Sequence, residues 1–430
     1  MNKQRCLTGA LLTTLLNSIN IVHAAGFGLV EQSATMGSAF AGGAAIAEDA
    51  STLYFNPAGM TYLPDNQLVL SANAARPSAN FTNDGSHTAT GGLTTGGNGG
   101  DGGSWALIPN FYFAKAISPD IHLGIAISPL FGLKTEYDKD WVGRYQAIKS
   151  DLKTISINPS IAFKASDQIS LGFGVSAMRA EAELTNAVDF GTLLGNPQKR
   201  DGMAAIKGND WGFGWNAGAI LQASETTRIG LSYRSKIHEK LDGTISFSKV
   251  PSILAAKSAF AESGITAKLV TPDSLTLAVS HQINDQWGIS GDIIWTGWST
   301  FKDLTVVRDN GKNVASIPQN WKNAIRVAAG ASYQYSDLVK LRAGIAYDES
   351  PVPDEFRTPR IPDSDRIWLS LGGSYKLSPT SSINLAYTHI FFKYGSQNKV
   401  TESAAPLRDT LKGSYNNYAN ILSAQYTYSF

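Results

Sequence analysis

From Asn66 onward, apolar side chains alternate with small or polar ones in segments of about ten residues. "VKLRAGIAYD" (Val339 to Asp348) is the clearest case. Val339, Leu341, Ala343, Ile345 and Tyr347 share one face, and Lys340, Arg342, Gly344, Ala346 and Asp348 share the other. "ISLGFGVSAM" from Ile169, "IRVAAGASYQ" from Ile325 and "IWLSLGGSYKL" from Ile367 follow the same rule. A period of two predicts strands with two unlike faces, as between lipid and a polar lumen. A soluble sandwich alternates as well, so alternation alone leaves both open.

The connections separate the two. Short polar turns at Ser118, Ser166, Ser224, Asn284, Ser336 and Ser378 alternate with connections far longer than the usual loop of a compact domain. Short turns at one rim, long loops at the other and about fourteen strands predict an all-β, transmembrane antiparallel barrel. The chain ends on "NILSAQYTYSF", with Tyr426, Tyr428 and Phe430 on one face of a closing strand. Aromatics at strand ends, including Trp295 and Trp298, are expected in interfacial girdles.

The first residues do not alternate. Lys3 and Arg5 precede a modest apolar run from Leu7 to Val22, and Val22-His23-Ala24 is a small-residue cleavage pattern. Residues 1–24 therefore read as a cleaved secretory signal. The run is interrupted by Thr13, Thr14, Asn17, Ser18 and Asn20, and is too short for a membrane-spanning helix. The one cysteine, Cys6, leaves with the signal, so no disulfide or thiolate site is expected in the mature chain.

Residues 25–63 are rich in Ala, Gly and Ser, with short helical patches and a helix-breaking Asn56-Pro57-Ala58-Gly59. A barrel of this size needs either an aqueous lumen or a plug. The segment is expected to fold inside the lumen as a plug, with Asn56-Pro57 fixing a turn against the wall, and residues 64–430 form the barrel.

Composition agrees. Charged residues are only 17%, with 41 glycines and 10% aromatics. Basic and acidic residues nearly balance, at 36 and 35, and no basic run suited to nucleic acid occurs. Histidines at 87, 122, 238, 281 and 389 are scattered, with no nucleophile motif and no metal-ligand spacing. No catalytic residue, metal or cofactor is expected.

The chain resembles the FadL-type family of outer-membrane transporters of long-chain fatty acids and hydrocarbons. The resemblance is carried in order by "AGF" at Ala25, "GSAFAGGAAIAEDASTLYFNPAGM" from Gly37 and "WVGRYQA" from Trp141. It continues through "NPSIAFK" from Asn158, "WTGWSTF" from Trp295, "LRAGIAYDESPVP" from Leu341 and "IPDSDRIWLSLG" from Ile361. It implies an exported, monomeric protein of the bacterial outer membrane whose partners are membrane lipid and a hydrophobic ligand. It further implies capture between extracellular loops, transfer to a lumenal pocket, movement of the plug and lateral release at a kinked third strand.

In this sequence that strand is "IHLGIAISPLFG" (Ile121 to Gly132). Pro129 cannot donate a ladder hydrogen bond, and it either breaks the strand or ends it at its loop. Phe27 resembles the family's plug residue that reaches the pocket. The connection Asp242 to Pro272 holds Val250, Ile253, Leu254 and Phe260 partly at helical spacing, and Ala182 to Asp210 holds Phe190, Leu193 and Leu194. So much apolar surface in loops must pack together or meet a ligand. A carboxylate entering the lumen needs a cation, for which Arg144 and Arg342 are the candidates; internal ion pairs with Glu48, Asp49 or Asp348 are the alternative. The sequence points to passive uptake of long-chain fatty acids. Neutral monoaromatic hydrocarbons are the alternative cargo, and a surface adhesin or structural barrel is the alternative from another class.

Overall fold

The computed structural model describes residues 26–64, 66–393, 396–399 and 409–430. The expected signal, residues 1–24, and the first expected plug residue, Ala25, lie outside them. Fourteen antiparallel strands close into a barrel. The first, Gln67–Asn83, pairs on one side with the second, Ala106–Ser118, and on the other with the last, Lys412–Ser429. The closing ladder runs from Gln67 opposite Ser429 to Asn83 opposite Gly413. Closure satisfies the backbone polar groups that lipid cannot and leaves no open edge. Among the described residues no helix is long and apolar enough to cross a membrane.

The period of two sorts side chains as expected. On the eleventh strand, Val339–Asp348, Leu341, Ile345 and Tyr347 are 46–50% exposed on the outer face, while Arg342, Ala346 and Asp348 are buried inside. The short turns predicted from Ser118 to Ser378 join neighbouring strands at one rim.

At the other rim the sheet outgrows the membrane. The fifth and sixth strands, Ile169–Asp189 and Asp201–Ser224, pair along almost their whole length. The segments expected to be loops are therefore largely ladder. Asp242 to Pro272 belongs mostly to the hairpin Ile237–Ser248 and Ser263–Thr271, with helix only at Ser252–Ala255 and a 3-10 turn at Ser258–Phe260. Ile265, Ala267 and Leu269 point inward at period two, which overrides the partial helical spacing.

The third strand, Ile121–Ser128, stops four residues before the expected Gly132. Pairing with the fourth strand, Lys149–Lys164, resumes over Gly132–Glu136. The interruption falls at Pro129, Leu130 and Phe131.

Inside the barrel lies a chain of short helical turns: Ala34–Ser38, Gly43–Ile46, Thr52–Phe55 and Pro57–Tyr62. The Asn56 side-chain oxygen caps the last of these by accepting from the Ala58 N–H. The Asn56 amide nitrogen donates to Ala44 within the plug and to Ala219 and Leu231 in the wall, at 2.8, 3.0 and 3.3 Å. Glycine makes room where plug backbone meets wall backbone. A Cβ on Gly230 would run into the Ala44 carbonyl, and one on Gly344 into the Ser38 carbonyl.

Candidate functional site

The start of the plug lies across the interruption in the third strand. Gly28 forms an antiparallel bridge with Phe131. The Leu29 N–H donates to the Leu130 carbonyl at 2.9 Å, and the Gly132 N–H donates to the Phe27 carbonyl at 2.7 Å. From the wall side the Thr154 hydroxyl accepts from the N–H groups of Leu130 and Phe131. Gln32 donates from Nε2 to the Pro129 carbonyl at 2.8 Å. The backbone groups freed by Pro129 are thus met by the plug and by one wall side chain, as buried polar groups require.

Phe27 is buried among aromatics. Its ring lies 4.6 Å from Trp298, 5.6 Å from Phe301 and from Trp321, and 6.0 Å from Phe131. Trp298 is 1% exposed and so does not belong to an interfacial girdle. The strand ends at Thr296, and the 3-10 turn Trp298–Thr300 swings that ring inward. Trp295 remains on the half-buried outer face, beside Leu275 and Ile325.

Beside this cluster is a lumenal cavity of about 130 Å³. Leu29, Phe40, Phe55, Leu130, Phe131 and Ile294 supply apolar wall. Arg234 reaches it from the end of the seventh strand, Thr227–Arg234. Its Nη2 donates to the Tyr54 carbonyl at 3.0 Å, and its guanidinium lies 5.0 Å from the Tyr54 ring centroid. Among the described residues it has no carboxylate partner. The other charges at the cavity are paired: Arg326 with Asp292 at 3.5 Å, and Asp348 with Arg366 at 3.3 Å. One positive charge therefore faces an otherwise neutral cavity.

Glu31, in the plug, is fully buried, and among the described residues neither carboxylate oxygen has a side-chain hydrogen-bond partner. Burial pushes its carboxyl up to about 7, against the pull of its own and Val30's backbone groups and of Arg366.

Towards the extracellular rim lies a larger vestibule of about 530 Å³. The two predicted loop tips meet at its edge. The Phe190 and Phe260 rings lie 5.0 Å apart edge to face, and Phe247 lies 5.8 Å from Phe260. Phe260, Phe247 and Leu193 line the vestibule. Phe190 and Leu254 are buried beneath the tips, Val250 and Leu194 are half-buried off the lining, and Ile253 is 73% exposed. Of the expected loop residues, Phe260 and Leu193 reach this space, and Phe190 packs against Phe260 from beneath.

The two expected carboxylate readers have partners already. Arg342 donates from Nη2 to Glu48 at 2.6 Å, with Lys340 on the same oxygen at 3.1 Å. This cluster borders a polar cavity of about 310 Å³ on the plug's other side, near the short turns. The paired cations hold the Glu48 carboxyl well below the ordinary range. Arg144 donates from Nε to Asp201 at 2.7 Å and from Nη2 to the Tyr145 hydroxyl at 2.8 Å, tying loops together. Arg342 has one of the internal partners expected in the alternative, Glu48, whereas Arg144 is paired with Asp201, which was not among them. Arg234 was discoverable from the sequence: it lies at even spacing from Gly230 and Ser232, on the inward face. Arg308 and Arg360, which line the vestibule, lie in extracellular segments without a pattern that marks them.

The whole described chain has known counterparts. Residues 16–430 match the family model described as outer membrane protein transport protein (OMPP1/FadL/TodX). The chain is 32% identical to outer membrane protein P1 of Haemophilus influenzae, over 98% of each chain. It is 30% identical to a long-chain fatty acid transport protein of Escherichia coli, over 88% of this chain and 90% of that one. Its fold is similar to a crystal structure of a Pseudomonas aeruginosa FadL homologue, with a TM-score of 0.87, 26% identity and coverage of 94% and 100%. The Pseudomonas putida toluene transporter TodX shares the fold at a TM-score of 0.68 and 18% identity, over 95% and 100% of the chains.

Proposed function

The chain belongs to the OMPP1/FadL/TodX family of outer-membrane transporters of hydrophobic compounds, and on that premise we propose that it passively carries long-chain fatty acids inward. The observation that carries the choice of cargo is Arg234, a guanidinium without a carboxylate partner on a largely apolar lumenal cavity. An unpaired buried charge is costly, and a ligand carboxylate compensates it. A neutral hydrocarbon does not.

The route runs from the vestibule between Phe260 and Phe190, past the Phe27 cluster, to the cavity at Arg234. Release is lateral, through the interruption at Pro129, once Phe27 to Leu29 leave the backbone of Leu130 to Gly132. The binding step favours the ligand over water by burial of its tail, and the concentration gradient drives the rest. The protein works as a monomer surrounded by outer-membrane lipid.

One observation favours a second reading. Phe27, Phe131, Trp298, Phe301 and Trp321 form an aromatic cluster that suits a flat aromatic guest, and relatives of this fold are toluene transporters. Equilibrium binding of labelled oleate to the purified protein, with oleate and toluene as separate competitors, tests both. Displacement by oleate alone, weakened in Arg234→Gln, supports fatty acid. Displacement by toluene at similar concentration moves the cargo to hydrocarbon.

A further inference from the structure

The outer face of the barrel changes character at its extracellular end. On the sixth strand Trp211, Phe213 and Trp215 point outward at a spacing of two and are 42–74% exposed. Phe173 of the fifth strand stacks on Trp215, with ring centroids 6.2 Å apart. Aromatics so arranged sit at the depth where lipid tails give way to head groups. Trp211 is the outermost of the three, and the Arg179 guanidinium lies 6.0 Å from its ring. Beyond that point the outward positions carry charge.

The charges form one lattice across neighbouring strands. Asp151 of the fourth strand lies 3.7 Å from Lys149 and 3.6 Å from Lys153. Lys149 reaches across to Glu183 at 2.5 Å, and Glu183 also takes Lys207 of the sixth strand at 3.2 Å. Arg179 pairs with Glu181 at 2.8 Å, and Lys240 with Asp242 at 3.7 Å. Lys268, on the strand Ser263–Thr271, stands directly opposite Lys240 and is exposed; among the described residues it has no carboxylate partner. These residues set six cations against four carboxylates, and the surplus gathers at Lys240 and Lys268. Like charges at directly opposed strand positions repel, and an anion between them turns the repulsion into attraction. The lattice is one-sided. On the closing ladder the outward pairs at this end are Arg76 with Asn420 and Asn80 with Asn416, and Arg76 is held by Asp101 at 2.8 Å.

A group that meets this face comes from the outer leaflet, because the face points away from the lumen at head-group depth. The surplus of cations calls for an anionic head. Arg179 spends Nε on Glu181 and Nη2 on Asn209, which leaves Nη1 for a further acceptor. Arg179 and Lys240 lie on either side of the sixth strand, where Asp210 accepts the Lys240 N–H at 2.7 Å. Two strand spacings hold them roughly 10 Å apart, too far for one phosphate and suited to two on a rigid sugar head. We propose that Arg179, Lys240 and Lys268 dock the bisphosphorylated disaccharide head of lipid A, the glycolipid of the bacterial outer leaflet. One phosphate lies on Arg179 and the other between Lys240 and Lys268. The site requires only that the barrel sits in an outer membrane. It uses neither the plug nor the lumenal cavity, so it stands or falls apart from the choice of cargo.

The test is native mass spectrometry of the purified full chain in a non-ionic detergent. The chain is titrated separately with bisphosphorylated lipid A, monophosphorylated lipid A and phosphatidylglycerol. The proteins are wild type, Lys240→Gln/Lys268→Gln, Arg179→Gln and, on the other side of the barrel, Lys412→Gln, with heat-shifted migration as the check on folding. Wild type is expected to hold bisphosphorylated lipid A about tenfold more tightly than either other lipid. Lys240→Gln/Lys268→Gln should lose most of that margin and Arg179→Gln about fivefold, while Lys412→Gln loses none. Oleate affinity should be the same in all four proteins. The proposal is overturned if the three lipids bind alike, if neither belt variant weakens lipid A, or if Lys412→Gln weakens it as much. A loss of oleate binding alongside lipid A in the belt variants also overturns it, since the effect is then global. The belt variants alter outward side chains on different strands, so misfolding of one leaves the other as the test.

Discussion

Leu29 donates its backbone N–H to the carbonyl of Leu130 at 2.9 Å, so the first residues of the plug complete the sheet where the third strand stops. A plug that pairs with a wall by backbone bonds blocks that wall only while it stays paired. Tethering it there should stop release without stopping capture. Gly28 and Phe131 face each other as a non-hydrogen-bonded antiparallel pair, a geometry with close Cα atoms that a disulfide tolerates. Oxidised Gly28→Cys/Phe131→Cys is expected to bind oleate at the vestibule and to transport almost none, with reductant restoring transport. Uptake of labelled oleate into cells, with and without dithiothreitol, is the measurement. Full transport by the oxidised form would remove the third-strand exit.

A second latch holds the opposite side of the plug. Glu48 takes Arg342 and Lys340 on one carboxylate oxygen. Glu48→Gln removes the charge and strands two cations, one of them buried, so the periplasmic side should loosen. Single-channel recordings are expected to show openings in Glu48→Gln that wild type lacks. Arg342→Ala should show the same openings while leaving oleate affinity within about twofold, because its partner is the plug and not the ligand. The sign of the pH effect follows from the depressed carboxyl. Its contribution is present above the unfolded value of 4.5 and is lost only as pH falls well below it. The latch should therefore be unchanged between pH 7 and pH 5.

Glu31 has the opposite sign. Its carboxyl is raised to about 7 by burial, so the folded plug keeps a proton that the released plug would give up. The stabilisation is fully present below about 4.5 and is lost as pH rises from there to about 7. A shift of this size corresponds to something on the order of 3 kcal/mol. Protease sensitivity of the plug should rise across that window in wild type and stay flat in Glu31→Gln. A flat wild-type profile would mean that water or a cation reaches Glu31.

Alternation along Val339–Asp348 is enough to place Arg342 inside the barrel, because a period of two leaves only two faces. It does not name the partner, since Glu48 lies far off in sequence and its approach depends on how the plug packs. The break at Pro129 was readable as a missing donor, whereas the plug segment that fills it was not. Phe27 to Leu29 carry no strand pattern, and they pair only because the wall offers free backbone groups. The same limit hid the vestibule's arginines. Arg308 and Arg360 have only neutral partners among the described residues, and that is visible only once the neighbours are in place. The loops Asp242 to Pro272 and Ala182 to Asp210 misled for a different reason. Strands that run past the membrane exchange lipid tails for water on their outer face, where His238, Lys240, Asp242, Lys207 and Asn209 are exposed, so the apolar outer stripe that identifies a barrel strand is missing there.

Gly344 shows how little slack the lumen has. A Cβ there would run into the Ser38 carbonyl, and Ser38 also presses on Gly330. Gly344→Val cannot be absorbed by a side-chain rotation, because the obstacle is backbone. Overpacking of this kind costs about 1–3 kcal/mol, and more when backbone must shift. The plug, held by short turns, should yield before the closed ladder does. The variant is expected to insert as a barrel with normal heat-shifted migration and to show increased conductance.

Asn56 joins the plug's last helical turn to the wall. One side chain caps that turn through the Ala58 N–H and donates to carbonyls of Ala44, Ala219 and Leu231, the last two on adjacent wall strands. An aspartate offers the cap but no donor, and an alanine offers neither. Asn56→Asp should therefore be the harsher change: it keeps about 1 kcal/mol of capping but sets a buried carboxylate against three carbonyl oxygens. The expected order of plug stability, read from protease cleavage rates at pH 7, is wild type, then Asn56→Ala, then Asn56→Asp. Lowering the pH to about 5 should protonate the carboxyl introduced by Asn56→Asp, which burial raises, and narrow the gap between the two variants. If Asn56→Ala and Asn56→Asp are cleaved at the same rate at both pH values, the donated bonds to Ala219 and Leu231 do not hold the plug.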